Sequence, residues 1–263
     1  MRRQRRCSIR GADGRRPASY GPYARDDRPW GGSDPPMVVY VYAADRKGER
    51  AQAHLGDFAG ILQVDGYGGY AALAKRRQQV RLAFCWAHVR RKFYELAETS
   101  PVATEVLCRI AQLYAIEDEV RGDTADQRRQ IRAERSRTLI DDLRHYLQAK
   151  NRQVSANSKL GEAIRYALTR WDGLSRFLDD GRIDLDSNTV ERSIRPLALN
   201  RKNALFAGSD EGGDNWAVIA TLIENCKISG INPHTWLTET LGNLAAGHPA
   251  NAVGKLMPWT AVA

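Results

Sequence analysis

No stretch of this sequence approaches the roughly 18 consecutive apolar residues that a helix needs to cross a bilayer, so no membrane span is expected. The opening MRRQRRCSIR leads into Gly, Arg and Pro rather than an apolar segment, and no signal peptide is expected there. Cys7, Cys85, Cys108 and Cys226 are scattered without C-x-x-C spacing, which argues against a disulfide framework and for reduced thiols in a cytoplasm. Also missing are the patterns of a P-loop, a G-x-G-x-x-G dinucleotide turn and a G-x-S-x-G nucleophile elbow. There is no internal repeat and no low-complexity tract.

What is there suits a globular chain. Its 263 residues, 43% hydrophobic and 27% charged, are enough for one large domain or two small ones with a hydrophobic core. A net charge of +9 points toward a polyanionic partner. Its distribution weakens that inference, because residues 1–36 hold nine Arg and four Asp and so carry most of the excess. Any nucleic-acid role must therefore rest on particular sites.

Residues 1–22 are rich in Arg, Gly and Pro, lack apolar periodicity, and read as a poorly ordered basic tail. MVVYVYAA (37–44) is β-branched and aromatic and predicts a buried strand; a helix follows around 49–57. GILQVDG (60–66) and RLAFCWAHV (81–89) predict a second and third strand, with a short helix between them. From about 88 to 180 the pattern is helical. Leu139, Leu143 and Leu147, then Leu160, Ile164 and Leu168, recur at i, i+4, i+8. GDTAD (122–126) and KNRQVSANSK (150–159) read as loops between these helices. Helices are again predicted near 214–228 and from Pro233. The reading is an α/β core interrupted by an all-helical insertion and resuming near 187.

Two carboxylates stand out. Asp65 closes an apolar strand ahead of Gly66, where active sites of α/β sheets gather; it suits a metal ligand or a loop-starting helix cap about equally. Glu191 completes N-x-x-E from Asn188, close to a capping box, and stands four residues before Arg195, the favoured order for a helical ion pair. It also lies at the edge of the apolar stripe Val190, Ile194, Leu197. Although 126 residues separate Asp65 from Glu191, an interrupted core can bring them together. Cys85 and His88 form C-x-x-H, but a zinc site needs about four ligands and no second pair stands nearby. His88, Arg90, Arg91 and Lys92 suit a phosphate-contacting surface or a solvated helix face. Trp171, Trp236 and Trp259 sit in apolar contexts and read as core.

Taken in order, DRKGERAQAHLGDFAGILQVDGYGGY, CWAHVRRKFYELA, DSNTVERSIRPLALNRKNALFAGSDEGG, WAVIATLIENCKISGINPHTWLTETL and LMPW resemble the transposases of the insertion-sequence-66 family, from about Tyr23 to Trp259. The resemblance implies a ribonuclease-H-like mixed sheet with a long helical insertion and a helical C-terminal element. It implies DNA cleavage and strand transfer by three carboxylates holding two divalent ions, Mg²⁺ or Mn²⁺. Asp65 matches the second carboxylate and Glu191 the last, while Cys85 and His88 match a motif that shapes the site. Arg192, Arg195, Arg201, Lys202 and Asn203, with Arg90 and Arg91, become candidates for DNA phosphates.

Further implications are DNA ends and target as partners, a homo-oligomer, accessory proteins from the same element, and a bacterial cytoplasmic, nucleoid-associated setting. Segments follow as 1–22 tail, 23–97 first part of the core, 98–182 insertion, 183–218 glutamate helix and end of core, and 219–259 C-terminal element. The family's first aspartate belongs upstream of YARDDRPW, where this sequence reads MRRQRRCSIRGADGRRPASYGP. Asp13 sits in a Gly/Arg context, and Asp26 and Asp27 follow the wrong strand, so none is assigned that role. The expectation is a 5′-truncated or frameshifted copy with little activity alone. The alternatives are a non-catalytic DNA-binding or assembly-interfering remnant, and a metal-dependent nuclease that cuts without joining.

Overall fold

The computed structural model describes residues 2–3, 7–10, 17–45, 48–66, 68–187, 190, 192–194 and 209–261. Strands β1 (Arg2–Arg3), β2 (Cys7–Arg10), β3 (Pro17–Arg25) and β4 (Met37–Ala43) come first. Next are α1 (Gly48–Leu55), β5 (Gly60–Val64), α2 (Gly68–Arg76), β6 (Val80–Phe84) and α3 (Trp86–Tyr94). A helical run follows: α4 (Pro101–Glu119), α5 (Ala125–Ile131), α6 (Arg137–Asn151), α7 (Lys159–Leu168) and α8 (Trp171–Leu174). Helices α9 (Asp210–Ile228) and α10 (Pro233–Ala245) follow, and then two 3₁₀ segments, Ala250–Leu256 and Pro258–Ala261. The class is α/β, as the sequence predicts. Among the described residues no helix is long and apolar enough to cross a membrane. The chain divides into two compact units: Met1–Asp27, Ser33–Gly56 and Asn188–Ala263 form one, and Arg28–Gly32 with Asp57–Ser187 the other.

In the first unit β3 runs antiparallel between β4 on one side and β1 and β2 on the other. Burial along β4 alternates at its start: Val38, Tyr40 and Tyr42 are buried, whereas Met37 and Val39 are exposed. That is the period of a strand covered on one face. The cover is α9, whose Ala217 joins Val38, Tyr40, Tyr42 and Val190 in a common core. Gly213 permits the approach, since a Cβ there would stand 2.5 Å from the Tyr42 ring.

The outer edge of β4 is closed by side chains rather than by a strand. The Asn225 amide donates to the Val38 carbonyl at 2.7 Å, and its oxygen accepts from the Val38 N–H at 3.1 Å. The Thr221 hydroxyl accepts from the Tyr40 N–H at 3.0 Å. Because the Tyr40 N–H points away from β3, the facing Pro22 makes no main-chain hydrogen bond with Tyr40. Further on, Asn232 caps α10, and the Trp236 indole donates to the Leu256 carbonyl at 2.8 Å.

In the second unit β5 and β6 pair in parallel, from Gly60↔Val80 to Val64↔Phe84, with α2 as the crossover. The predicted third strand (81–89) stops at Phe84, and a helix begins at Trp86. The reason lies in the change of period: Trp86, Val89 and Phe93 are all buried at helical spacing. Ser100, Thr124 and Ser158 cap α4, α5 and α7, the middle one through a full capping box with Gln127. The helices share one apolar core with β6 and α3, including Ala83, Trp86, Phe93, Ile110, Leu143, Ile164 and Trp171. Burying a side chain such as Phe93 contributes about 1.5–3 kcal/mol. A single π-helical turn, Arg132–Ser136, joins α5 to α6.

Within this apolar interior sits an ionic network. Arg132, fully buried, meets Glu117 at 2.7 and 2.6 Å and donates to the Phe177 carbonyl at 2.9 Å. Arg128 joins Glu117 at 3.2 Å and Asp184 at 2.8 Å. The Gln63 amide, on β5, donates to the Asp184 carbonyl at 2.8 Å. The network thus ties two helices and the returning chain to the strand that leads into Asp65.

Candidate active site

Asp65 is half-buried at the carboxyl end of β5, and the chain turns at once through Gly66, whose φ is +92°. Its main chain is held from the far side of the sequence. The Tyr166 hydroxyl, on α7, donates to the Asp65 carbonyl at 3.1 Å. Arg170 stacks over the Tyr166 ring with its guanidinium carbon 4.0 Å from the centroid, and the Lys92 ammonium lies 4.8 Å from the same centroid. A Cβ on Gly66 would stand 3.0 Å from Arg170 Nε and 3.2 Å from the Tyr166 hydroxyl. Gly66 is therefore required twice, for its left-handed backbone and for the space that this cation–aromatic pair occupies. Sequence reading missed Tyr166 and Arg170, and it took Lys92 for part of a phosphate-contacting or solvated helix face rather than for a neighbour of the Tyr166 ring. Only the i, i+4 spacing of Tyr166 and Arg170 hints at them, and many solvated helix faces share it.

Cys85 stands between β6 and α3, 2% exposed. Burial pushes its thiol above the usual cysteine range, against a smaller pull from the neighbouring Ser187. It is a neutral thiol at physiological pH, not an activated nucleophile. The returning chain is fixed beside it, because the Trp86 N–H donates to the Leu185 carbonyl at 2.8 Å. His88 is half-buried on the first turn of α3, and its N–H donates to the Cys85 carbonyl at 3.3 Å. Arg90 and Arg91 are exposed on the same helix; Arg90 lies over Tyr94, and Arg91 pairs with Glu95 at 3.4 Å. Among the described residues no group of three or more His, Cys, Asp or Glu stands at metal-binding spacing.

In the other unit, Glu191, Arg195, Arg201, Lys202 and Asn203 lie outside the described residues. Their neighbours do not. Val190 is buried in the core with Val38 and Tyr40, and the Tyr40 hydroxyl donates to the Ser193 carbonyl at 2.5 Å. Arg192 is exposed. Burial, with Glu224 nearby, raises the Tyr40 phenol well above its ordinary range, so it stays a donor to Ser193.

Residues 20–215 match the model of the transposase IS66 family. This chain belongs to that family. Residues 221–259 match its IS66 C-terminal element. Three curated relatives from Sinorhizobium fredii (strain NBRC 101917 / NGR234) carry the names uncharacterized protein y4qI, y4jD and y4hP. They are 49%, 43% and 40% identical to this IS66-family chain, over 245, 244 and 254 residues. Each alignment covers 90% of the chain and 46%, 48% and 46% of the respective relative, so the chain spans about half the length of the curated relatives it matches. No solved structure matches it. Asp65 falls inside the transposase match, while Thr221 and Asn225, which close the β4 edge, fall inside the C-terminal element.

Proposed function

We propose that the chain's residues serve DNA cleavage and strand transfer at the ends of an insertion element, on a ribonuclease-H-like core. The observation that carries this reading is Asp65: a carboxylate at the carboxyl end of a parallel strand, its main chain pinned by Tyr166, within the family match. Asp and Glu supply the hard oxygens that Mg²⁺ or Mn²⁺ prefers, and Asp65 and Glu191 are the ligands proposed here. When bound, two such ions about 3.5–4 Å apart supply charge stabilisation for the attacking and leaving oxygens of an in-line displacement.

The protein's own task is placement. Tyr166 and Gly66 fix the backbone that aims Asp65, and Val190 and Ser193 anchor the segment that carries Glu191. Arg192, Arg195, Arg201, Lys202, Asn203, Arg90 and Arg91 are the proposed contacts to DNA phosphates, with Cys85 and His88 shaping the site. The partners are element ends and target DNA, a second copy of the chain and accessory proteins of the same element, in a bacterial cytoplasm at the nucleoid.

The family chemistry calls for three carboxylates, of which this 263-residue chain has two assigned. Turnover by the chain alone is therefore expected to be weak. The test is joining of pre-nicked element-end DNA in Mn²⁺, with Asp65→Ala and Glu191→Ala alongside. Weak joining, lost in both variants, is the expected result. Joining indifferent to both would remove the carboxylate assignment, and vigorous joining lost in both would show that two carboxylates suffice.

A further inference from the structure

The second unit carries a cavity of about 480 Å³ between the outer edge of β6, the end of α7 and the start of α8. Four arginines line it, Arg81, Arg144, Arg170 and Arg176, against one carboxylate, Asp172. Elsewhere in this unit arginines are commonly partnered: Arg109 with Glu105, Arg135 with Glu119, Arg137 with Asp179, Arg182 with Asp180. Among the described residues none of the four lining arginines is in an ion pair.

Two of them are half-buried and held in place. Arg176 Nε donates to the Leu82 carbonyl at 3.0 Å, and Arg170 donates to the Tyr166 carbonyl and the Thr169 hydroxyl, both at 3.2 Å, while stacked on Tyr166. The other two, Arg81 and Arg144, are exposed at the rim. The wall itself depends on Gly173, which lets α8 press on β6; a Cβ there would stand 2.4 Å from the Phe84 ring.

We infer that this cavity is a phosphate-binding site. Guanidinium groups fixed by main-chain carbonyls keep their remaining N–H donors aimed and pay little ordering entropy on binding, which suits the forked geometry of phosphate oxygens. Four arginines stand against Asp172 in this open cleft, with Asp180 outside the lining also acting on Arg81, and the positive surplus that remains suits an anion of more than one charge. The chemistry fits phosphates of a nucleic-acid strand or of a free nucleotide. The site is distinct from the residues proposed above for DNA contact, and it holds whether or not the chain joins DNA. Arg170 connects the two places, since it also packs over Gly66 beside Asp65.

The experiment is titration of the full chain, in EDTA, with a labelled 20-mer duplex, and separately with pyrophosphate and ATP by calorimetry. Arg81→Gln/Arg144→Gln, both at exposed positions, is compared with Arg121→Gln/Arg129→Gln, which removes the same charge from exposed positions elsewhere in the unit. The site predicts at least tenfold weaker binding of one phosphate ligand in the first variant only. If the ligand is DNA, the salt slope falls by about one for each arginine removed. Loss confined to the duplex identifies a nucleic-acid strand as the source, and loss confined to pyrophosphate or ATP identifies a free nucleotide. Identical behaviour of the two variants toward every ligand would overturn the inference. An Asp65→Ala background separates the readings, because it abolishes joining but leaves this binding intact.

Discussion

The Tyr166 hydroxyl reaches across 101 residues to donate to the main-chain carbonyl of Asp65 at 3.1 Å. The bond fixes the strand end without touching the carboxylate, so Tyr166 is a positioning residue. Tyr166→Phe keeps the ring between Arg170 and Lys92 and removes only this bond. It is expected to cost about 1 kcal/mol in urea unfolding. Joining in Mn²⁺ should fall by more than the lost stability explains, with higher Mn²⁺ partly restoring it. Unchanged joining together with the stability loss would make the bond merely structural.

Gly66 and Gly68 offer a paired test two residues apart. Gly66→Ala places a side chain at φ +92° and crowds Arg170 and Tyr166, and should destabilise by about 1–2 kcal/mol. At Gly68 no atom lies within 4 Å of an added Cβ and the backbone is helical. Gly68→Ala should be neutral or stabilise by up to about 1 kcal/mol. Thermal melts of the two variants measure the difference; equal effects would contradict the described turn.

At the β4 edge, Asn225→Leu leaves the Val38 N–H and C=O buried without their side-chain partner. Two orphaned main-chain groups predict a loss of about 2–4 kcal/mol. Thr221→Val, which removes one acceptor from the Tyr40 N–H, should lose about 1–2 kcal/mol. Denaturant midpoints decide it, and a ranking with Thr221→Val the more damaging would count against this geometry.

Alkaline pH should weaken the fold. Burial raises both the Cys85 thiol and the Tyr40 phenol above their unfolded values. The unfolded chain therefore loses these protons first. Stability from this source is intact below about pH 9 and declines as the pH rises through the thiol and then the phenol range. Urea midpoints that stay level from about pH 8 to 11 would contradict this. The same burial predicts maleimide labelling at neutral pH of exposed Cys108 well before Cys85 or Cys226, read by peptide mass mapping.

How much of this was legible follows from what each signal depends on. The strand at 37–44 was readable from its β-branched and aromatic residues and that at 60–66 as a short apolar run, and their observed bounds are Met37–Ala43 and Gly60–Val64. The run to Val89 was read as strand because RLAFCWAHV is apolar throughout, and a short apolar run does not reveal its period. Strands β1 to β3 carried no comparable signal, since Arg, Gly and Pro do not alternate with apolar residues. Asp65 was visible as an acid closing an apolar strand. Tyr166 and Arg170 were not, because their meaning arises only when α7 folds back onto β5. Asn225 was equally hidden: an asparagine in an amphipathic helix gives no sign that its amide will stand in for a neighbouring strand.

That amide has an evolutionary corollary. The boundary between the two family matches, 215 to 221, falls inside the continuous helix α9, and Thr221 and Asn225 beyond it grip main-chain atoms rather than side chains of β4. A joint that recognises backbone is insulated from drift in the strand it grips, because any residue but proline at position 38 presents the same N–H and C=O. Substitutions on the exposed face of this strand, at Met37 and Val39, can therefore accumulate without loosening the joint, while the buried face at Val38, Tyr40 and Tyr42 stays tied to α9 through its side chains.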